Sequence, residues 1–264
     1  MIERPPQFNA SRLPREVAPG LFWLGECLVL PYKDLVLHSS TSVYLLKGED
    51  AALLVDCAFP SDRPSLYAQL DSILADGPEL RYLFLSHQEV PHAGAVGHLL
   101  DRYPNAIAIG DIRDYHLYFP DLAERFEQRR PGDVIDLGGT SFELVEPVVE
   151  DLLTTSWGIG TPQNALFSVD GVSFGHMHEA GHCGMTASEL PELDITQMGS
   201  YVIHFALPWM GRVDTAPYVT ALERLIRERE IEVVLSTHGL PITDLAETMP
   251  KIYEGMRHAH EFIA

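Results

Sequence analysis

The densest chemistry in the chain lies between Ser86 and Gly94, where Ser-His-Gln-Glu-Val-Pro-His-Ala-Gly follows the apolar run Leu83-Phe84-Leu85. Two imidazoles and a carboxylate this close together are metal-ligand types. Side chains two apart on an extended segment point the same way, so His87 and Glu89 face one side. His92 falls in the first turn of whatever helix follows the Pro91 bend. Three further points where apolar runs end carry the same residue class: Glu150-Asp151, Asp170 and His238. Ligands at the carboxyl ends of strands are where open α/β layers place their sites.

Each of these residues has a plainer explanation by itself. A single histidine after a strand is most often a satisfied polar residue, and Asp170-Gly171 has the form of a turn. Four strand ends that share one chemistry are far more specific than any one of them. A second cluster, His176, His178, His182 and Cys183, reads either as additional ligands or a proton relay near Asp170, or as a polar loop over the site. His98, His204, His258 and His260 fall within helical patterns and fit surface or packing roles. Tyr44, Tyr201 and Trp209 suit a pocket wall, and core packing accounts for them equally well.

The elements that must position these groups are legible from periodicity. After a proline-rich lead-in over residues 1–19, short apolar runs at 21–24, 27–30, 42–46 and 51–55 read as an antiparallel meander ending at Asp56. A helix is expected from Ser61, with Leu66, Leu70 and Ile73-Leu74 on one face. A strand at 82–85 delivers His87, a helix carries Val96, Leu99 and Leu100, and a strand covers 106–109. A second helical stretch is expected over 111–128. Strands at 133–137 and 141–145 flank Gly138-Gly139, a hairpin signal, and a strand at 165–169 ends on Asp170. Residues 171–200 carry no assignable pattern. A helix over 213–230 starts at Asp214 or Thr215 with Pro217 in its first turn. A strand at 231–235 leads to His238, and a last helix from Thr243 is expected to kink at Pro250. Strands followed by helices in both halves predict an α/β fold of two face-to-face sheets with helices outside.

Composition narrows the function classes. Against 18 Lys and Arg stand 38 Asp and Glu, a net charge of −20 with no basic cluster, which argues against nucleic acid as a partner. No apolar run approaches the ~20 residues of a membrane helix, and the first residues lack the apolar centre of a secretory signal. Cys27, Cys57 and Cys183 are odd in number and widely spaced, which fits a reducing, cytoplasmic setting rather than a disulfide framework.

Taken together the motifs resemble the metallo-β-lactamase superfamily, whose hallmark is HxHxDH after a strand, then a later His, a bridging Asp and a final His. Here the hallmark reads His87-Gln88-Glu89-Val90-Pro91-His92. The resemblance extends through Ser42 to Leu46, Leu54-Val55-Asp56, Leu137-Gly138-Gly139, Leu166 to Asp170, Phe174-Gly175-His176 and Leu235 to Gly239. It covers residues 20 to 262, and residues 20–264 are read as one domain of the four-layer αβ/βα sandwich type. Glutamate in place of the second histidine is the mark of the flavodiiron and oxygen-binding diiron branch.

The resemblance implies that His87 and Glu89 bind a first metal, His92 and His238 a second, and that Asp170 bridges. Two departures stand out. Pro91 replaces an aspartate ligand, and Glu150 or Asp151 stands where the family has a histidine. His176 follows Phe-Gly as a family histidine near the metals does. The expected cofactor is iron, two ions, with one iron, manganese or zinc as alternatives. The expected activity is binding or activation of O2 or NO as sensor, reductase or oxygenase. Metal-dependent hydrolysis of an ester, lactone or thioester is the alternative, as is a degenerate, non-catalytic member. Flavodiiron proteins carry a flavodoxin domain after this one, and its absence from the sequence implies a separate electron-donor protein. The related diiron proteins imply a homodimer.

Overall fold

A computed structural model describes residues 12–32, 35–177, 183–190 and 192–259. The first sheet runs β1 (Arg15–Ala18), β2 (Leu21–Tyr32), β3 (Leu35–Lys47), β4 (Ala52–Val55), then α1 (Arg63–Leu74) and β5 (Leu80–Leu85). Two helices, α2 (Val90–Ala93) and α3 (Val96–Arg102), lead to β6 (Ile107–Gly110), α4 (Tyr115–Tyr118) and β7 (Phe126–Gln128). The second sheet is built from β8 (Val134–Asp136), β9 (Ser141–Val145), β10 (Trp157–Thr161) and β11 (Ala165–Val169). After α5 (Ile195–Ala206) and α6 (Ala216–Glu228) it gains β12 (Val233–Ser236), and α7 (Leu245–Arg257) follows.

The strand orders are β1-β2-β3-β4-β5-β6-β7 and β12-β11-β10-β9-β8. The first sheet is antiparallel through β4 and parallel from β4 to β7. In the second, only the β11 and β12 pair is parallel. Parallel neighbours need a crossover, and the helices supply it.

Alternation explains the layers. Along β4, Leu53 and Val55 face the core shared with Phe142, Phe167 and Trp157, whereas Ala52 and Leu54 face Leu66, Leu70 and Leu99 of α1 and α3. Phe84 of β5 likewise points between the sheets, its ring 4.8 Å from that of Phe142. Phe142 in turn lies 5.5 Å from Phe167. Helices α5, α6 and α7 contribute Met198, Leu222 and Ile252 to the same apolar mass. The result is the four-layer αβ/βα sandwich.

Several local expectations are corrected. Residues 111–128 hold one turn of helix, a 3-10 stretch over Pro120–Arg125 and the edge strand β7, because Pro120 breaks the helical run and Phe126 pairs with Ala108. The runs at 21–24 and 27–30 form a single strand that continues through Gly25. At φ +108 that residue's backbone passes so close to Thr41 that a Cβ would meet its carbonyl oxygen at 2.1 Å. β10 was not anticipated, since Trp-Gly-Ile-Gly-Thr reads as a glycine-broken segment. Its Gly158 makes room for the Phe142 ring, which an added Cβ would meet at 2.0 Å. α5 begins inside the unassigned 171–200 region and is capped by Asp194, which accepts from the Gln197 N–H at 3.0 Å. From Arg15 the lead-in pairs with β2.

Candidate metal centre

Four strand ends converge on one point. β4 delivers Asp56, β5 delivers Ser86 and His87, β11 delivers Asp170, and β12 delivers Thr237 and His238. Two of the turns are held in the left-handed region, Asp56 at φ 63 and Val169 at φ 53. For a β-branched valine such a conformation costs about 1–3 kcal/mol and is found where function fixes the backbone. The Thr237 N–H donates to the Val169 carbonyl at 2.9 Å, which ties the Asp170 and His238 turns together.

His87, Glu89, His92 and Asp170 each offer a ligand atom, all within 4.8 Å of one another. His87 Nε2 lies 3.4 Å from Asp151 Oδ2 and 3.7 Å from Asp170 Oδ2. His92 Nε2 is 3.5 Å from Asp170 Oδ2, and His238 Nε2 is 3.8 Å from Asp170 Oδ1. These separations exceed hydrogen-bond length. His87 Nε2, His92 Nε2 and Asp170 Oδ1 are buried with no hydrogen-bond partner. A buried polar atom without a partner costs roughly 1–3 kcal/mol, and three of them aimed at one point are the donor geometry of a cation pocket.

The opposite edges of the imidazoles are held. His92 Nδ1 donates to Asp56 Oδ2 at 2.7 Å, and Thr237 Oγ1 donates to the same oxygen at 3.0 Å. Asp56 Oδ1 accepts from the Ser86 N–H at 3.0 Å. His238 Nδ1 donates to the Ser40 carbonyl at 2.8 Å. Both histidines therefore present Nε2 to Asp170, their Nδ1 edges held by a carboxylate and a backbone carbonyl, the kind of partner that orients a histidine at a metal. Asp151 is anchored by Thr155 Oγ1, which donates to its Oδ1 at 2.7 Å and leaves Oδ2 for His87.

The electrostatics follow. Burial alone pushes the Asp56 and Asp170 carboxyls up, yet the neighbouring imidazoles outweigh it and hold both below the usual carboxylate range. Burial pushes His92 down, but the Asp170 and Asp56 carboxylates on its two sides hold it well above the ordinary value. His87, buried beside a charged His92, is pushed down to about 4. Burial, then the charges of Asp170 and Asp151, raise Glu89.

Of the adjacent acids, Asp151 enters the cluster while the Glu150 side chain is exposed, lining a groove of about 670 Å³ with Arg113, Arg129 and Arg130. Its carbonyl accepts from Trp209 Nε1 at 3.0 Å. Pro91 lies in the first turn of α2 and brings no ligating atom. His176 is buried against His38 and Cys27, and His178 and His182 lie outside the described residues. Tyr44 donates to the Ser236 carbonyl at 2.8 Å and packs on Phe167, a core role. Asp56 was not singled out for the site, since an aspartate after a strand reads as a turn. The signal was its place after Leu54-Val55 in the resemblance.

The sequence profile of the metallo-beta-lactamase superfamily matches residues 38–185. The chain belongs to that superfamily. Among curated proteins, type A flavoprotein fprA of Rhodobacter capsulatus is 29% identical over 106 residues, which is 38% of this chain and 24% of that protein. The chain thus aligns with about a quarter of its length. Among solved structures, rubredoxin oxygen:oxidoreductase from Desulfovibrio gigas superposes with a TM-score of 0.68 at 14% identity, over 93% of this chain and 61% of that one. The flavodiiron protein of Giardia intestinalis gives 0.67 at 16% identity, over 94% and 59%. A 1–254 fragment of a diflavin flavoprotein from Nostoc gives 0.70 at 14%, over 93% and 94%. The fold is that of the metallo-beta-lactamase core of flavodiiron proteins. No helix among the described residues is long and apolar enough to cross a membrane.

Proposed function

We propose that the protein is a non-haem iron protein with a dinuclear centre that binds or reduces a diatomic gas, O2 or NO. The observation that carries this reading is the convergence of buried, unpartnered His87 Nε2, His92 Nε2 and Asp170 Oδ1, beside the carboxylates of Glu89 and Asp151. Three histidines and three carboxylates make a donor set rich in hard oxygen, which suits iron or manganese better than a nitrogen- or sulfur-dominated zinc site. In this reading His87, Glu89 and Asp151 serve one ion, His92 and His238 the other, and Asp170 both. Asp151 takes the place of the family histidine.

Iron held there would supply reversible electron transfer and open coordination positions for a small ligand. The chain's own residues do the rest. Asp56 and the Ser40 carbonyl keep His92 and His238 in the tautomer that leaves Nε2 for ligation. Asp170, flanked by imidazoles, stays ionised. The proton on His92 is the one a cation must displace, so ligation and proton release are linked. Pro91 removes the aspartate that water activation draws on in the superfamily's hydrolases, which lowers the hydrolase reading.

Turnover needs electrons from a donor protein, and a homodimer is the assembly this reading expects. The test is anaerobic reconstitution with ferrous iron, followed by O2 or NO consumption with an artificial reductant. Iron-dependent consumption that His92→Ala abolishes is expected. Ester or lactone hydrolysis with zinc, and no gas consumption with iron, would overturn the reading.

A further inference from the structure

A second constellation shares no residue with the centre above. Cys27 on β2 pairs opposite Ser40 of β3, so His38, two residues from Ser40, is its diagonal neighbour on the same face. His38 exchanges backbone hydrogen bonds with His176 at 2.7 and 2.8 Å, which places His176 on that face too. Cys183 arrives from the segment after Asp170, and its turn is pinned by Arg15 Nη1, which donates to the Gly184 carbonyl at 3.1 Å. His38, His176 and Cys183 are all buried, at 4%, 1% and 1% exposure, and Cys27 is half-buried.

We infer that Cys27, His38, Cys183 and His176 form a closed, structural zinc-type site that clamps the β2–β3 hairpin to the segment following Asp170. The donor chemistry is that of Cys2His2 sites, where soft thiolates and imidazoles select a thiophilic cation. Geometry agrees. Zinc bond lengths of about 2.3 Å to sulfur and about 2.0 Å to nitrogen give tetrahedral edges of roughly 3.3–3.8 Å. Cys27 Sγ is 3.0 Å from His38 Nδ1 and 3.9 Å from His176 Nε2, and the Cys27, His38 and Cys183 ligand atoms lie within 4.8 Å of one another. Small side-chain shifts bring Cys27, His38 and Cys183 onto one ion, and a turn of the neighbouring His176 ring toward them completes the set. With four protein ligands no coordination position remains open, so the site serves structure rather than catalysis.

The test is titration of the full chain, stripped of metal under reducing conditions, with Co2+ and then Zn2+. A thiolate-to-cobalt charge-transfer band is expected, saturating at one ion per chain and displaced by zinc. The carboxylate and imidazole set around Asp170 has no sulfur to produce such a band, so the two sites are distinguished. Cys27→Ser and Cys183→Ser should each weaken the band, and the double variant should abolish it, while all three keep the circular dichroism of the parent. In the parent, Zn2+ should shield the half-buried Cys27 thiol from alkylation, with the already buried Cys57 as internal reference. If the serine variants fail to fold, that shielding measurement decides. Cobalt binding without the band, zinc stoichiometry unchanged in the serine variants, or alkylation indifferent to zinc would each overturn the inference.

Discussion

Asp56→Asn is the sharpest probe of how the centre is held. Asp56 is fully buried and accepts three hydrogen bonds, two at Oδ2 from His92 and Thr237 and one at Oδ1 from the Ser86 N–H. An asparagine has one accepting oxygen. If its oxygen faces His92, the amide NH2 meets the Ser86 N–H, two donors in contact. If the NH2 faces His92, Nδ1 must become the acceptor and the proton moves to Nε2, the atom aimed at Asp170. Either arrangement loses a charge-assisted bond worth about 1.5–3 kcal/mol. Replacing such a partner of a ligating histidine weakens metal binding by roughly 10–100-fold, or about 1.4–2.8 kcal/mol. Chelator competition against ferrous iron should show that loss. Thermal unfolding of the metal-free variant should fall by about 4–8 °C, for a cost near 2 kcal/mol in a chain this long. Thr237→Ala removes one bond without forcing a tautomer change and should cost about 1 kcal/mol. Iron affinity within twofold of the parent, with an unchanged melting temperature, would refute the orienting role of Asp56.

Glu150→Ala should leave metal content unchanged while Asp151→Ala lowers it, read by elemental analysis of both variants; the reverse pattern would reassign the ligand. Gly158→Ala drives a Cβ into the Phe142 ring at 2.0 Å and should destabilise by about 1–3 kcal/mol in denaturant melts, where a neutral result would contradict the close sheet packing. The Arg15 guanidinium bonded to Glu189 holds that carboxyl down to about 2 from its ordinary 4.5. A depressed carboxylate stabilises the fold above its unfolded value, and the contribution is lost as pH falls from about 4.5 through about 2. Since both side chains are about one-third exposed, screening reduces the effect to about 0.5–1 kcal/mol. Glu189→Gln should lose that amount at pH 7, and the difference from the parent should vanish near pH 2.

The strand ends that carry His87, Asp170 and His238 were legible because an apolar run breaking into a polar ligand type is visible without a structure, and His92 follows His87 in the next turn of helix. The choice between Glu150 and Asp151 was not. Adjacent residues point to different sides, and what turns Asp151 toward His87 is the Thr155 hydroxyl bonded to it, a contact spacing alone does not announce. β10 was hidden because glycines weaken its strand signal, and one of them, Gly158, is what admits Phe142. Residues 111–128 looked helical because apolar positions recur there, while the pairing of Phe126 with β6 is a tertiary fact. His176 was read with the loop near Asp170, but a bridge to His38 carries it to the Cys27 face, and no local pattern joins residues so far apart in sequence.

The central claim is an iron pair held by His87, Glu89, Asp151, Asp170, His92 and His238. Mössbauer spectroscopy of protein reconstituted anaerobically with iron-57 tests it most directly. Two iron ions per chain are expected, high-spin ferrous when reduced and magnetically coupled after oxidation, with the coupled signal lost in Asp170→Asn. A single uncoupled iron, or a chain that keeps zinc and takes up no iron, would contradict it.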